Sequence, residues 1–331
     1  MYQVGIDVSK KKLDICLLTK GIEEKRKTKV IKNDQHSTRT LIEWLKKQKY
    51  LLENVRITLE STGTYHEQLC TELYDMGIHV SIVNPYRIRE FAKGMGILTK
   101  TDRVDAFVLA CYGELKKPSA WIAPLPEIRA LKSLINRREA LLADLLREQN
   151  RQEKTLTTST PKIVRQSLVK CIKILEKELL AIESEISNHI DNHPKLKQDM
   201  ELLTSIKSIG NQVGANMLMV LRSHDFNSAE QVASYLGLVP VERRSGTSVN
   251  GRAHLSKTGS SQIRAKLYFS AITAIRHNPH IKSLYDRLLA KGKSKMSALG
   301  AAMRKLVHLC YGVLKTGIAY DQNYASPILD S

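Results

Sequence analysis

The chain has 331 residues, 42% hydrophobic and 26% charged, a globular composition long enough for two or three domains. Lys and Arg total 52 against 33 Asp and Glu, a net charge of +19, which points to a polyanionic partner, nucleic acid first. From Val241 to Ser331 there are 15 Lys/Arg against 4 Asp/Glu, so the C-terminal part is where phosphates should be gripped. The five cysteines (Cys16, Cys70, Cys111, Cys171, Cys310) are scattered with no Cys-x-x-Cys, which fits reduced thiols and argues against a zinc site or disulfide framework. No apolar run is long enough for a membrane span and the first residues enter a strand pattern with no leader, so a soluble cytoplasmic protein is expected.

In chain order, residues 2–8 and 12–18 read as paired strands across a Lys-rich turn, and Lys27–Lys32 as a third strand. Ser37–Lys47 has helical spacing (Leu41, Ile42, Leu45), and Val55–Glu60 is a fourth strand. A helix over Tyr65–Met76 stops at Gly77, and Ile78–Val83 is a fifth strand closed by Asn84-Pro85. Three strands followed by alternating helix and strand is the order of a ribonuclease-H-like mixed sheet, so the fold class is α/β plus α. From Pro126 two amphipathic helices, broken at Thr155–Pro161, predict a helical coiled-coil hairpin. Its apolar stripe either packs on the rest of the chain or joins a second copy. The remainder is expected to be mostly helical. It starts with a partial helix-hairpin-helix pattern, in which Ser208 stands where a glycine is usual, and carries one Gly/Ser/Arg-rich interruption. The domains implied are 1–124, 125–193 and 194–320, with a tail at 321–331.

Four acids stand where carboxylates contribute little to folding. Asp7 ends the first strand and Glu60 the fourth, which in this sheet order are neighbours. Asp102 and Asp105, three apart at the start of a helix-like segment, share one face. Any one of them reads as an ordinary surface acid. Together they read as an oxygen cage for divalent ions, of which two about 4 Å apart can clamp a phosphodiester during displacement. A second constellation is Arg243-Arg244-Ser245-Gly246-Thr247-Ser248-Val249-Asn250-Gly251-Arg252, followed by Ser256-Lys257 and Arg264. It is expected to be a flexible polar loop able to bring a serine oxygen to a phosphate. Chemistry alone does not rank Ser245, Ser248, Ser256 and Ser260.

The motifs Gly5-Ile6-Asp7-Val8-Ser9-Lys10, Glu60-Ser61-Thr62-Gly63-Thr64-Tyr65, Asn84-Pro85 and Lys100-Thr101-Asp102-x-x-Asp105-Ala106 resemble the DEDD transposases of bacterial insertion sequences, relatives of the Piv/MooV DNA invertases. Gly237-Leu238-x-Pro240, Ser245-Gly246, Gly251, Ser256-Lys257-x-Gly259 and Arg264-x-x-Leu267-Tyr268 resemble the second domain of the same family. The resemblance implies a RuvC-like N-terminal domain, a coiled-coil connector and a C-terminal transposase domain whose nucleophile would be Ser245. Asp7, Glu60, Asp102 and Asp105 would hold Mg²⁺, two ions with Mn²⁺ able to substitute. Arg243, Arg244, Arg252, Lys257 and Arg264 would bind nucleic acid. It further implies strand exchange through phosphoserine on donor and target DNA in the nucleoid, guided by a structured bridge RNA. Active sites would be composite, within a homo-oligomer from dimer to tetramer. The rival readings are a structure-specific nuclease in which the same acids activate water, a Piv-like invertase, and a non-catalytic nucleic-acid-binding protein.

Overall fold

The structure is a computed structural model and describes residues 1–323 except Lys20, Glu24, Thr62 and 246–248; the side chains of 243–245, 249, 250 and 252 are also outside it. The chain divides into two compact units, Met1–Ala123 and Pro124–Ser331.

The first unit is built on five strands, β1 (Tyr2–Val8), β2 (Lys12–Leu18), β3 (Arg26–Lys32), β4 (Val55–Glu60) and β5 (His79–Val83), in the order β3-β2-β1-β4-β5. β1 pairs antiparallel with β2 and parallel with β4, and β4 pairs parallel with β5, which is the ribonuclease-H-like arrangement. Strand alternation splits the apolar residues between two faces. Val4, Ile6 and Val8 of β1, with Leu13, Ile15 and Leu17 of β2, pack against α1 (Ser37–Lys47) and α2 (Glu67–Asp75) through Leu41, Trp44, Leu45, Leu69 and Leu73. The other face, with Cys16 and Leu18, meets Ala106, Ala110 and Cys111 of α4 (Asp102–Lys116). Between them α3 (Pro85–Gly94) starts with Asn84 as its cap, the side chain accepting from Tyr86 N at 2.8 Å, and Pro85 at the first helical position.

Gly5 decides how closely α4 approaches. A Cβ there would lie 2.0 Å from the carbonyl oxygen of Ala106 and 2.3 Å from the amide nitrogen of Ala110. Helix and strand therefore meet backbone to backbone, which is the physical reason a glycine precedes Ile6-Asp7 and small residues follow Asp105.

In the second unit, α5 (Pro126–Lys154) and α6 (Lys162–Asp191) form the expected hairpin. Only its root is embedded: Ile128, Leu131 and Ile135 of α5 and Ile186 and Ile190 of α6 join the core formed with α7 (Pro194–Thr204), α8 (Asn211–Ser223), α9 (Ala229–Tyr235), α10 (Ser261–His277), α11 (Pro279–Ala290) and α12 (Lys295–Thr316). Towards the tip Leu156, Ile163 and Ile174 are exposed. Arg138, buried near the root, donates to Glu183 at 2.9 Å, and Asp199 is held by Arg222 through two bonds of 2.6 and 2.7 Å, so buried charges are paired. Ser208, in the connection between α7 and α8, has φ +86°, the conformation for which glycine is the usual residue.

The Gly/Ser/Arg-rich interruption is not a flexible loop throughout. Pro240–Ser245 (β6) and Val249–Leu255 (β7) pair as an antiparallel ribbon with an irregularity between Val241 and Arg243. Backbone pairing imposes this where side-chain pattern does not, since Arg, Asn and Gly are poor indicators of a strand.

Candidate active site

Period-two alternation puts Gly5 and Asp7 of β1, Asp14 and Cys16 of β2, and Thr58 and Glu60 of β4 on the face covered by α4. Asp7 lies directly across from Asp14 in the antiparallel register, and the parallel register that pairs Ile6 with Leu59 makes Glu60 the next neighbour on the other side. The turn joining β1 and β2 is fixed by Ser9, whose hydroxyl donates to Lys12 O at 2.8 Å and accepts from Lys12 N at 3.2 Å. Thr101 caps α4 by accepting from Val104 N at 3.3 Å, which makes Asp102 the first helical residue and turns Asp105, one turn on, toward the same edge. Both acids sit in the first turn, where the positive end of the helix dipole favours them.

The ligand oxygens of Asp7, Asp14 and Asp102 all lie within 4.8 Å of one another. Glu60 and Asp105 are outside that trio, yet their charges act on it. Burial, then the charges of Glu60, Asp102, Asp105 and Asp14, raise the Asp7 carboxyl to about 7. Asp105 is raised by burial first. Asp102 is lowered, because Lys12 donates to it from 2.7 Å. Lys12 also reaches Asp14 at 3.0 Å, and these two bonds raise the ammonium.

The sequence points to Asp7, Glu60, Asp102 and Asp105; the structure adds Asp14 and Lys12 beside them. Their signal was a solitary acid in an otherwise apolar strand, with a lysine two residues earlier, in what read only as a hairpin. The donor set is carboxylate oxygen alone, at a half-buried strand edge where charges of one sign crowd together. That combination fits hard divalent cations such as Mg²⁺.

In the second unit Ser245 is the last residue of β6, paired with Val249, and Arg243 and Arg244 pair with Gly251 and Asn250. Ser248 and Gly246 lie outside the described residues. Of the other serines, Ser260 caps α10 by accepting from Ile263 N at 3.4 Å, and the Ser256 amide donates to Val239 O at 2.9 Å at the base of the ribbon. Lys257 is exposed, with φ +57°. Arg264, expected on nucleic acid, points inward: its Nη1 donates to Gly259 O at 2.6 Å and Leu236 O at 3.3 Å. It thereby ties together two tight turns. Gly237 has φ +71°, and a Cβ on Gly259 would lie 2.2 Å from Tyr235 O. Among the described residues no helix is long and apolar enough to cross a membrane.

Two family models match. The IS110-type DEDD model, described as "Transposase", covers residues 4–161, and "Transposase IS116/IS110/IS902 family" covers residues 200–286. The "Pilin gene-inverting protein" of Moraxella lacunata is 29% identical over 96% of this chain and 97% of its own length. An "Insertion element IS110 uncharacterized 43.6 kDa protein" from Streptomyces coelicolor is 29% identical over 50% of this chain and 40% of its own. A Thermus thermophilus RuvC structure matches at 14% identity over 36% of this chain and 99% of that one, with a TM-score of 0.26. With the transposase models falling on both units and the four acids in the first, this chain belongs to the IS110 family of DEDD transposases and DNA recombinases.

Proposed function

We propose that this recombinase cuts and rejoins DNA strands by metal-dependent phosphoryl transfer through a serine ester, with Asp7, Glu60, Asp102 and Asp105 as ion ligands and Asp14 beside them. The observation that supports it most is the convergence of the Asp7, Asp14 and Asp102 oxygens within 4.8 Å of one another beside the end of the central strand, with Glu60 and Asp105 close enough to act on Asp7. Folding alone gives no reason to gather five like charges, whereas a cation repays it. Two bound Mg²⁺ ions, or Mn²⁺ in their place, would supply Lewis-acid stabilisation of the charge on the transferring phosphate. The Ser245 oxygen attacks phosphorus, a serine–phosphate bond forms as the bond to the 3′ oxygen breaks, and the serine proton ends on the released 3′-hydroxyl. Reversal by a second strand's 3′-hydroxyl conserves the bond energy. Arg243, Arg244, Arg252 and Lys257 offset the phosphate's charge, while Arg264 holds the base of the ribbon.

A structured RNA from the same element as guide, and assembly of two to four copies with composite sites, complete the proposal. The net charge of +19 supports a nucleic-acid load beyond one duplex, and the exposed apolar residues of the hairpin tip support self-association. Inversion is the second reading, favoured by the length over which the chain follows the pilin gene-inverting protein.

The test is denaturing electrophoresis of the protein with Mg²⁺, the element's RNA and end-labelled cognate DNA. A slow, protease-sensitive adduct that vanishes in Ser245→Ala is expected. Clean nicks with no adduct, unchanged in Ser245→Ala, would leave a hydrolytic nuclease instead.

A further inference from the structure

Lys12 opens β2 two residues before Asp14, so the two side chains leave the same face of the strand. Its ammonium lies 2.7 Å from Asp102 and 3.0 Å from Asp14, both members of the trio whose oxygens converge with those of Asp7. A singly charged cation on a flexible stem thus sits among the oxygens a divalent ion would use. We propose that Lys12 is a resident counter-cation that competes with divalent metal for Asp102 and Asp14, and that it shifts to a DNA backbone phosphate when metal loads. The inference rests on the metal-dependent reading of this acid cluster.

Two effects of Lys12 on metal binding oppose each other. Its bonds to Asp102 and Asp14 order the ligands; Asp14 is buried, but Lys12 and Asp102 are each nearly half exposed, and ion pairs open to solvent contribute little. Its charge repels an ion of twice that charge only a few ångströms away, an effect large enough to cost about tenfold in affinity even at water-like dielectric. Repulsion wins, so Lys12 weakens metal binding while no DNA is present. An ammonium on four methylenes is a strongly hydrated point charge that can swing to a new anion. An incoming phosphate offers that anion, so DNA and metal should tighten each other's binding, reciprocally.

The experiment measures Mn²⁺ binding to the full chain by electron paramagnetic resonance of the free ion, with and without DNA. Lys12→Met is expected to bind Mn²⁺ about tenfold tighter than wild type when DNA is absent. Lys12→Arg, which keeps the charge, should stay close to wild type. Lys12→Gln serves as a second neutral variant, and thermal melts confirm folding of each. Unchanged affinity in both neutral variants overturns the inference and leaves the metal site standing. Weaker affinity in both also overturns it, by making Lys12 an aid to ligand placement. If no variant binds Mn²⁺ saturably under either condition, the metal reading fails and takes the inference with it.

Discussion

Asp7→Asn should stabilise the metal-free protein while abolishing strand transfer. Asp7 is carried from an ordinary value of 3.8 to about 7, so the folded state holds its proton more tightly than the unfolded chain does. Stability from this group is therefore fully present below 3.8 and is lost as pH rises through 7. At 1.36 kcal/mol per tenfold change in proton affinity, the charged carboxylate would carry a penalty of about 4 kcal/mol. Asp7 is only half-buried, and solvent screening reduces that to about 2 kcal/mol. For a unit of this size the asparagine should melt about 5 °C or more above wild type at pH 8 in EDTA, and the gap should close near pH 4. Added Mg²⁺ should raise the wild type and leave the variant nearly unmoved. A variant that melts below wild type at pH 8 in EDTA would refute the idea that burial and the neighbouring acids penalise the Asp7 carboxylate in the folded state.

Gly5→Ala forces a methyl group into the Ala106 carbonyl. Thermal unfolding should show a loss of about 3 kcal/mol or more, with Mn²⁺ affinity falling as α4 moves away; an unchanged melt would be incompatible with the packing described. Arg264→Met should destabilise the second unit by about 2 kcal/mol through its two deserted carbonyls while leaving the salt dependence of DNA binding alone. The reverse result would return Arg264 to the phosphates. Lys257→Ala, at an exposed position, should weaken DNA binding across sequences and reduce the slope of log affinity against log salt by about one, with no change in melting.

The sheet could be read from the chain because its two outer layers demand strict alternation. Val4, Ile6 and Val8 bury one side of β1 and Gly5 admits the helix on the other, so period two survives in the residues. The four strand-end and helix-start acids stood out as charges next to apolar runs. Asp14 did not, since its meaning depends on a register set by the Ser9–Lys12 turn, which pairs it with Asp7. The inward bonds of Arg264 are hidden in the sequence for a related reason. An arginine in a basic segment looks destined for phosphate until two tight turns bring carbonyls within its reach. β6 and β7 escaped because a ribbon held by backbone bonds leaves little trace in side chains.

The contact between Gly5 and Ala106 bears on ionic radius. Where strand and helix touch through main-chain atoms, the backbones that carry Asp7 and the α4 acids cannot come closer, and only their side chains are left to adjust the spacing of the carboxylates. Ca²⁺ takes oxygens at about 2.3–2.6 Å and Mg²⁺ at about 2.0–2.1 Å, so under the metal-dependent reading a change of ion would be taken up by the Asp side chains over a fixed strand–helix spacing. If the acids hold a divalent ion as proposed, a rigid spacer of this kind would tie its coordination to the strand–helix distance, and any shift of α4 would be felt first in metal affinity.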